Sequence, residues 1–402
     1  MRSGEGPGTV GEVLEPVSLP RRAGLRQKRV SKFEFAFCFQ RVRFEMLLHQ
    51  ISRPSSSIFN RTARRATGTI PRLAYALEKD LLAEFKSTYF DPELPCLFPR
   101  NHFGKIPAIK DWFNRDENGR TTMNESFFES ASAAAVLSSA TTASVKDPIV
   151  ELEVVNGQST EFSKLSVPLS AFLRILNLPL PPLPTPPPSD SSTSDGTTPN
   201  DDGTTPKTEA TKAKDLIPSL YLAQQSTPAF LAPSLPTPSI VKLAGKGDIY
   251  GHALWLGTTP TNTPLHRDPN GNLFVQLKSR KVIRMTAPAI GKGLVELAMQ
   301  AGGNKKEVGN LQGEEMMTGR TKELLDLVVF GNPFGKEKAR LETEQDEWEK
   351  WEALREGMLE CVVEPGDGVW IPKGWYHAVK GVAASGREDD REISASVNWW
   401  FR

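Results

Sequence analysis

The chain has 402 residues, which is long enough for two or three domains or for a single barrel with insertions. Its 49 basic and 48 acidic residues leave a net charge of +1, so no global field would draw in nucleic acid or an anionic membrane. Three widely spaced cysteines, Cys38, Cys96 and Cys361, exclude a disulfide framework and a zinc module and favour a reducing compartment. No apolar run approaches the roughly 20 residues that span a bilayer, so we expect no membrane partner.

Residues 1–75 predict a basic, poorly ordered N-terminal extension. Residues 1–45 show no sustained period, whereas residues 46–75 contain five arginines, several Ser and Thr, and no acidic residue. That composition is typical of a mitochondrial transit peptide, which works only at an N-terminus. Mitochondrial targeting therefore requires that translation start near Met46. The alternative is a basic disordered tail on a nuclear or cytoplasmic protein.

The sequence of residues 76–178 predicts a helical and irregular N-terminal part of the folded unit that continues to residue 402. Apolar residues at helical spacing indicate a helix over 76–90, which Asp91-Pro92 ends. After a stretch rich in proline and aromatic residues we expect a small-residue helix over 131–144. A short strand over 151–155 and a short helix over 170–178 complete this part.

Residues 179–212 form a segment rich in Pro, Ser and Thr that predicts a disordered insertion. Such a composition cannot bury enough apolar surface to offset the entropy of ordering. A proline-rich stretch can also bind an aromatic groove of a partner, but we expect a solvated loop. Since strand-like sequence follows at once, we interpret the segment as an insertion within one domain.

Residues 213–402 alternate short strands with Pro- and Gly-containing turns, which predicts a mainly β fold with flanking helices. The predicted strands are SLYLAQQ, HALWLG, NLFVQL, KVIRMT, LECVVEPGD, GVWIP, HAVKGV and SASVNWWF. Eight such strands favour a double-stranded β-helix, an antiparallel jelly roll of the cupin type. The pattern lapses over 287–358, where we predict a helical insertion that covers the entrance of the barrel.

The segment TPLHRDPNGNLFVQLKSRK, residues 263–281, contains the chemistry that organises the chain. In an extended chain residues two apart point to the same face, so His266 and Asp268 can hold one metal ion together. The strongest candidate for a third ligand is His377, in GWYH ahead of the last strand. Two imidazoles and one carboxylate on one side of a metal are the ligand set of non-haem Fe(II) oxygenases.

Strand alternation predicts further inward-facing residues. Asn272 and Phe274 share the parity of His266 and Asp268, and the last strand alternates in the same way through Asn398. A buried asparagine needs hydrogen-bond partners, which a dicarboxylate co-substrate would supply.

These motifs resemble the JmjC family of 2-oxoglutarate- and Fe(II)-dependent oxygenases, in particular the asparaginyl hydroxylase that acts on hypoxia-inducible factor and its small hydroxylase relatives. The resemblance covers residues 216–402 and rests on the 263–281 segment, on VVEPGDGVWIPKGWYHAV and on SVNWWF. It implies that His266, Asp268 and His377 bind Fe(II) and are the catalytic residues. It also implies a 2-oxoglutarate site formed by Lys281, Thr263, Tyr221, Asn272, Asn398, Phe274 and Trp400, with Lys281 receiving the distal carboxylate.

The resemblance implies a dioxygenase that uses Fe(II), 2-oxoglutarate and O2 to hydroxylate a protein side chain. Ala223 stands where the asparaginyl hydroxylase has a polar substrate contact, which puts asparaginyl specificity in doubt. Hydroxylation of tRNA or a nucleoside and lysine demethylation are the alternatives within the family, and a non-enzymatic cupin scaffold is the alternative outside it. Relatives in the family often form homodimers, so we consider a homodimer as well.

Overall fold

The computed structural model describes residues 68–74, 78–138, 147–155, 162–179, 219–303, 319–331, 345–385 and 391–402. All of them belong to one compact unit that extends over residues 65–402. Residues 1–67, which include most of the predicted transit-peptide-like segment, lie outside the described residues. Nearly all of the predicted disordered insertion lies outside them as well. None of the described helices is long and apolar enough to cross a membrane.

The described chain is dominated by short strands. They are β1 (Gly68–Thr69), β2 (Cys96–Leu97), β3 (Phe113–Arg115), β4 (Thr121–Met123), β5 (Ile149–Val155), β6 (Phe162–Pro168), β7 (Ser219–Ser226), β8 (Ile249–Thr258), β9 (Thr261–Arg267), β10 (Gly271–Lys278), β11 (Arg280–Thr286), β12 (Leu359–Val363), β13 (Gly368–Ile371), β14 (Tyr376–Val382) and β15 (Ile393–Phe401).

The described α-helices flank these strands. They are α1 (Glu78–Glu84), which continues as a π-helical turn over Phe85–Phe90, α2 (Pro107–Asp111), α3 (Glu125–Ser138), α4 (Leu169–Asn177), α5 (Ser239–Leu243), α6 (Pro288–Ala301), α7 (Gly319–Phe330) and α8 (Gln345–Glu356). A 3-10 turn, Ala229–Ser234, precedes α5.

Two sheets form the barrel. The major sheet has the strand order β2-β13-β10-β15-β8-β7-β5-β6, and the minor sheet has the order β1-β12-β11-β14-β9. All pairs in both sheets are antiparallel except β1 with β12. The predicted jelly roll of the cupin type is therefore confirmed. Strands β5 and β7, on either side of the Pro-rich segment, pair with each other in the major sheet.

Each sheet has an inner and an outer face because side chains alternate along a strand. The outer face of β10, with Leu273, Val275 and Leu277, packs against the N-terminal helices and buries Phe85 and Trp112. A smaller core between the sheets contains Phe274, Ile283 and further apolar residues of both sheets. The polar residues on the inner faces therefore lie between two well-packed layers.

Six of the described strands, β1 to β4, β6 and β9, are missing from the sequence-based prediction, and β6 and β9 are the longest of them. Each of these two lies at the edge of its sheet. Edge strands need fewer apolar residues, and they tolerate proline because one side of the strand makes no ladder hydrogen bonds. Strand β9 contains Pro264, and residues 163–166 of β6 are exposed, so neither segment shows the expected strand pattern.

The folded unit begins earlier than predicted. Strand β1 pairs with β12, so that Gly68 lies opposite Leu359 and Thr69 opposite Glu360. Ile70 and Leu73 are buried, and the guanidinium of Arg72 donates a hydrogen bond to the carbonyl of Phe98. Residues 68–74 are thus part of the barrel, and the boundary predicted at residue 75 is wrong.

The helical insertion predicted over 287–358 contains α6, α7 and α8. These helices bury Leu294, Val328 and Trp351 in a core that includes Leu265, Tyr376 and Ala378. Those three residues alternate with His266 and His377 along β9 and β14, so they lie on the outer face of the minor sheet. The described helices therefore cover the back of the minor sheet, and the expectation that the insertion covers the entrance is wrong for this part of the chain.

Candidate metal centre and its pocket

A pocket lies between the inner faces of the two sheets. Its volume is about 60 Å³. It is lined by Tyr221, Gln224, Trp255, Thr263, His266, Asp268, Asn272, Phe274, Lys281, His377, Val379, Asn398 and Trp400. All ten predicted site residues are in this set.

Two neighbouring strands bring the predicted metal ligands together. His266 on β9 and His377 on β14 are direct cross-strand partners, and their ring centroids are 4.2 Å apart. Asp268 follows the last residue of β9 by one position. Ligand atoms of His266, Asp268 and His377 all lie within 4.8 Å of one another, which is the only such cluster of His, Cys, Asp or Glu in the described residues.

Backbone carbonyls orient both imidazoles. Nδ1 of His266 lies 2.9 Å from the carbonyl of Pro264, and Nδ1 of His377 lies 3.2 Å from the carbonyl of Trp375. A carbonyl can only accept, so each Nδ1 carries the proton and donates. Nε2, the nitrogen that faces no carbonyl, is therefore the atom of each ring that can bind a metal.

Hydrogen bonds hold the carboxylate of Asp268 in place. Its Oδ2 accepts from Nδ2 of Asn272 at 2.7 Å and from Nε1 of Trp400 at 2.9 Å. Burial disfavours the ionised carboxyl, but interactions with His377 and His266 and these two hydrogen bonds outweigh burial and lower the pKa of Asp268. Asp268 is thus ionised at neutral pH.

His377 has the complementary protonation state. Burial, together with the neighbouring His266, lowers the pKa of His377 to about 4, although Asp268 acts in the opposite direction. The imidazole is therefore neutral at pH 7. A neutral imidazole and an ionised carboxylate are the forms in which these side chains bind metals.

At the opposite end of the pocket lies a buried cation. Lys281 on β11 is 1% exposed, and burial lowers its pKa to about 7. Its Nζ donates to Oγ of Ser396 at 2.7 Å and to the hydroxyl of Tyr221 at 3.2 Å, and it lies 5.3 Å from the centre of the Phe274 ring. No carboxylate of the described residues pairs with this ammonium. A buried ammonium without an anion is costly, so the site is suited to an anionic ligand.

Two asparagines extend the hydrogen-bond network away from Asp268. Nδ2 of Asn398 donates to Oδ1 of Asn272 at 2.8 Å, and Asn272 in turn donates to Asp268. Oδ1 of Asn398 is buried without a partner.

Thr263 lies on the pocket wall, where its strand neighbour is Val379. Tyr221 is hydrogen-bonded to the side chain of Thr261, and burial raises the pKa of its phenol.

Four contributing residues are missing from the sequence-based site. Ser396 shares the inward parity of Asn398, so alternation could have assigned it, and Val379 follows His377 by two positions in the same way. Trp255 lines the pocket with a buried Nε1 that has no partner. Gln224 occupies a β-bulge with φ of 51°, and nothing in the sequence signals that bulge.

The residues present fit Fe(II) and 2-oxoglutarate. Two imidazole nitrogens and one carboxylate oxygen match the ligand preference of a divalent transition metal that keeps coordination positions open. The unpaired Lys281 ammonium and the unpartnered Oδ1 of Asn398 face the same pocket. The site thus combines a metal-binding triad with an anion-binding end.

A double-stranded β-helix with this triad defines a cupin-type metal centre. Residues 82–402, more than half of the chain, match the cupin-like domain family, and the chain belongs to that family. The predicted relationship to the JmjC proteins is confirmed, because the similar curated proteins include JMJ30 and JmjC domain-containing protein F.

Three of these relatives illustrate the extent of the similarity. Lysine-specific demethylase JMJ30 of Arabidopsis thaliana is 24% identical over 157 residues, which are 39% of this chain and 27% of the relative. JmjC domain-containing protein F of Dictyostelium discoideum is 24% identical over 151 residues, 37% of this chain and 26% of the relative. Lysine-specific demethylase 8 of Danio rerio is 27% identical over 147 residues, 37% of this chain and 26% of the relative. The match thus spans about a quarter of the length of these curated relatives.

Proposed function

We propose that the protein is a dioxygenase dependent on Fe(II) and 2-oxoglutarate that hydroxylates a side chain of a protein substrate. The observation that carries the proposal is the pairing, within one pocket, of a triad of two imidazoles and one carboxylate with a buried lysine that lacks an anion. Family membership supports the same conclusion.

His266, Asp268 and His377 would hold Fe(II) through two Nε2 atoms and one carboxylate oxygen. When bound, the metal with 2-oxoglutarate supplies the oxidising chemistry that the side chains themselves lack. The protein contributes the protonation states: the low pKa of His377 keeps the imidazole neutral, and the low pKa of Asp268 keeps the carboxylate ionised. No proton must leave His377 or Asp268 before the metal binds at neutral pH.

Lys281 would receive the distal carboxylate of 2-oxoglutarate, together with the hydroxyls of Tyr221 and Thr263. Ser396 and Tyr221 direct the ammonium into the pocket because they accept two of its hydrogen bonds. Phe274 forms an apolar wall beside it. An ionic contact here gains strength from the exclusion of water. Asn272 and Trp400 donate to Asp268 at the metal end, Asn398 donates to Asn272, and all three would bound the co-substrate there.

Formation of succinate from 2-oxoglutarate tests the proposal. Purified protein with Fe(II), 2-oxoglutarate and ascorbate should release succinate and CO2, and Asp268→Ala should abolish the release. Asp248→Ala is the matched control, because this carboxylate pairs with Arg402 at the surface and does not line the pocket. If correctly metallated wild-type protein forms no succinate above the rate without enzyme, the proposal is wrong.

Lysine demethylation is the second candidate, since two of the relatives described above are named lysine-specific demethylases. Both reactions insert one oxygen atom, but demethylation releases formaldehyde and hydroxylation does not. Comparison of peptides from cells with and without the protein separates the two. Peptides that lack one oxygen atom in the deficient cells support hydroxylation, whereas peptides that gain methyl groups support demethylation.

The remaining alternatives are a hydroxylase of tRNA or nucleosides and a scaffold without turnover. The net charge of +1 does not favour nucleic acid as substrate. A tRNA that is retained strongly, with an affinity that falls steeply as salt increases, would favour it after all. A scaffold has no need for both a metal triad and a buried cation, and the succinate experiment decides that case.

Compartment and assembly are proposals of their own. The composition of residues 46–75 supports mitochondrial targeting, the similar proteins lend it no support, and a nuclear or cytoplasmic location is the alternative. Sequencing the N-terminus of the mature protein decides between them, because retention of residues upstream of Met46 excludes mitochondrial processing. Sedimentation of the purified protein tests a homodimer.

A further inference from the structure

We infer that Trp400 is a positioning residue for the metal: with Asn272 it restricts Asp268 to binding through a single oxygen. This inference rests on the proposed metal site. It gives the tryptophan a function different from the co-substrate contact expected from the sequence.

The two donors converge on one oxygen from neighbouring strands. Asn272 on β10 and Trp400 on β15 are cross-strand partners in the major sheet. The amide of Asn272 and the indole of Trp400 donate to Oδ2 of Asp268 at 2.7 and 2.9 Å. A carboxylate oxygen offers about two acceptor sites. Both sites of Oδ2 are therefore filled, and Oδ1 is the oxygen that accepts no hydrogen bond from the described residues.

The donor and acceptor roles in this hydrogen-bond network are fixed by the chemistry of Trp400 and by the contact between Asn398 and Asn272. An indole N–H can only donate, so Trp400 cannot exchange its role with Asp268. Asn398 donates to Oδ1 of Asn272, which turns the amide nitrogen of Asn272 toward the carboxylate. Rotation of the carboxylate about its χ2 angle would break both charge-assisted hydrogen bonds at once.

His377 does not take part in this restraint. Its Nε2 is 3.7 Å from Oδ2 of Asp268, which is too long for a hydrogen bond. The strands that carry the two histidines, β9 and β14, thus do not restrain the carboxylate through His377. The restraint comes from β10 and β15 of the major sheet, on the other side of the pocket.

Binding of Co(II) to the full chain without co-substrate tests the inference. Trp400→Phe keeps an aromatic ring but removes the N–H donor together with the five-membered ring that carries it, and it should weaken Co(II) binding about 10- to 100-fold by calorimetry. The visible absorption of bound Co(II) should change as well, because a freed carboxylate can bind through both oxygens and alter the coordination number.

Trp399→Phe is the matched control. Trp399 lies on the opposite face of β15, is fully buried, and its Nε1 has no partner, so this variant should lose thermal stability without a change in Co(II) affinity or spectrum.

Wild-type affinity and spectrum in Trp400→Phe, with only a loss of thermal stability, would show that the tryptophan is a packing residue and would overturn the inference. If Trp400→Phe does not fold, the decision passes to Asn272→Ala, which removes the other donor and should shift affinity and spectrum in the same direction. The test is independent of catalysis. Wild-type protein that binds Co(II) but forms no succinate with Fe(II) contradicts the proposed function and leaves the positioning role intact.

Discussion

The two ends of the pocket have opposite charge requirements. At the metal end, the negative charge of Asp268 is already stabilised by two hydrogen bonds, and the imidazole of His377 is neutral. At the other end, Lys281 is surrounded by hydroxyls and an aromatic ring, and its pKa has fallen to about 7 because nothing described offsets the burial of its charge. The metal end is prepared before ligands arrive, whereas the cationic end depends on the anion for its charge.

Of the changes proposed for the two ends of the pocket, removal of a metal ligand should have the largest effect, and that effect is on metal affinity. His377→Ala leaves two ligand side chains and should lower Fe(II) or Co(II) affinity by at least about 100-fold, more than the loss of an outer hydrogen bond costs. Calorimetric titration of the metal-free protein measures this. His252→Ala, on β8 and outside the pocket lining, is the control and should bind metal normally. Equal affinity of the two variants would mean that the metal end is not where we place it.

Lys281→Met should separate the stability of the pocket from its function. Folding lowers the pKa of this lysine from 10.5 to about 7, so between these pH values the unfolded chain holds a proton that the folded chain has lost. The free energy of unfolding of the ligand-free protein should therefore rise as the pH is raised from about 7 to about 10, by an amount of the order of 4 kcal/mol at most.

In the methionine variant that rise disappears, and the ligand-free protein is more stable at pH 7 than the wild type. Binding of 2-oxoglutarate to the metal-loaded variant should be at least about 100-fold weaker, since a charged partner is lost. Urea denaturation at several pH values and calorimetry measure the two effects. A variant that is less stable at every pH would show that the ammonium is already stabilised without ligand.

Proton uptake during 2-oxoglutarate binding tests whether the charge of Lys281 depends on the anion. A carboxylate beside Lys281 favours the charged ammonium, so 2-oxoglutarate should bind with uptake of about one proton at pH values between about 7 and 10. Calorimetry in buffers of different ionisation enthalpy at pH near 9 gives the number of protons. Lys281→Arg, which is charged at all these pH values, should show no uptake. Uptake that persists in the arginine variant would assign the proton to another group.

The smallest effect belongs to Ser396→Ala. Loss of one acceptor to the ammonium should weaken 2-oxoglutarate binding about 3- to 10-fold and leave metal affinity unchanged. Ser394→Ala is the matched control, since this serine lies two positions earlier on β15, is buried, and its hydroxyl has no partner. A change in metal affinity in Ser396→Ala would mean that the two ends are not independent.

The sequence predicts the inner faces of the barrel better than its edges. Alternation along β10 and β15 is enough to place Asn272, Phe274 and Asn398 inside, because a buried strand allows only one register. Strand β9 was expected only as an extended segment, since a proline at a sheet edge leaves no pattern of alternating apolar residues. Gln224 could not be predicted either, because a bulge is a property of the pairing between two strands.

The location of the helical insertion was predicted wrongly for a related reason. Its helices are recognisable from local spacing, but the face they cover depends on contacts with residues distant in sequence. Leu265 and Tyr376, the outward neighbours of the two histidines, form part of that contact and carry no signal of it in the sequence. Local pattern determines that helices form, and tertiary packing determines where they lie.

Strand β1 sets a limit on how the chain can be shortened. Its two residues shield one edge of β12, and Ile70 and Leu73 behind them are buried in the barrel. Removal of these residues would expose unpaired backbone groups along a sheet edge, which is a site for association between chains. A protease that trims the basic segment 46–75 and leaves the barrel intact must therefore cut ahead of Gly68, and a recombinant version that starts at residue 76 should be prone to aggregation.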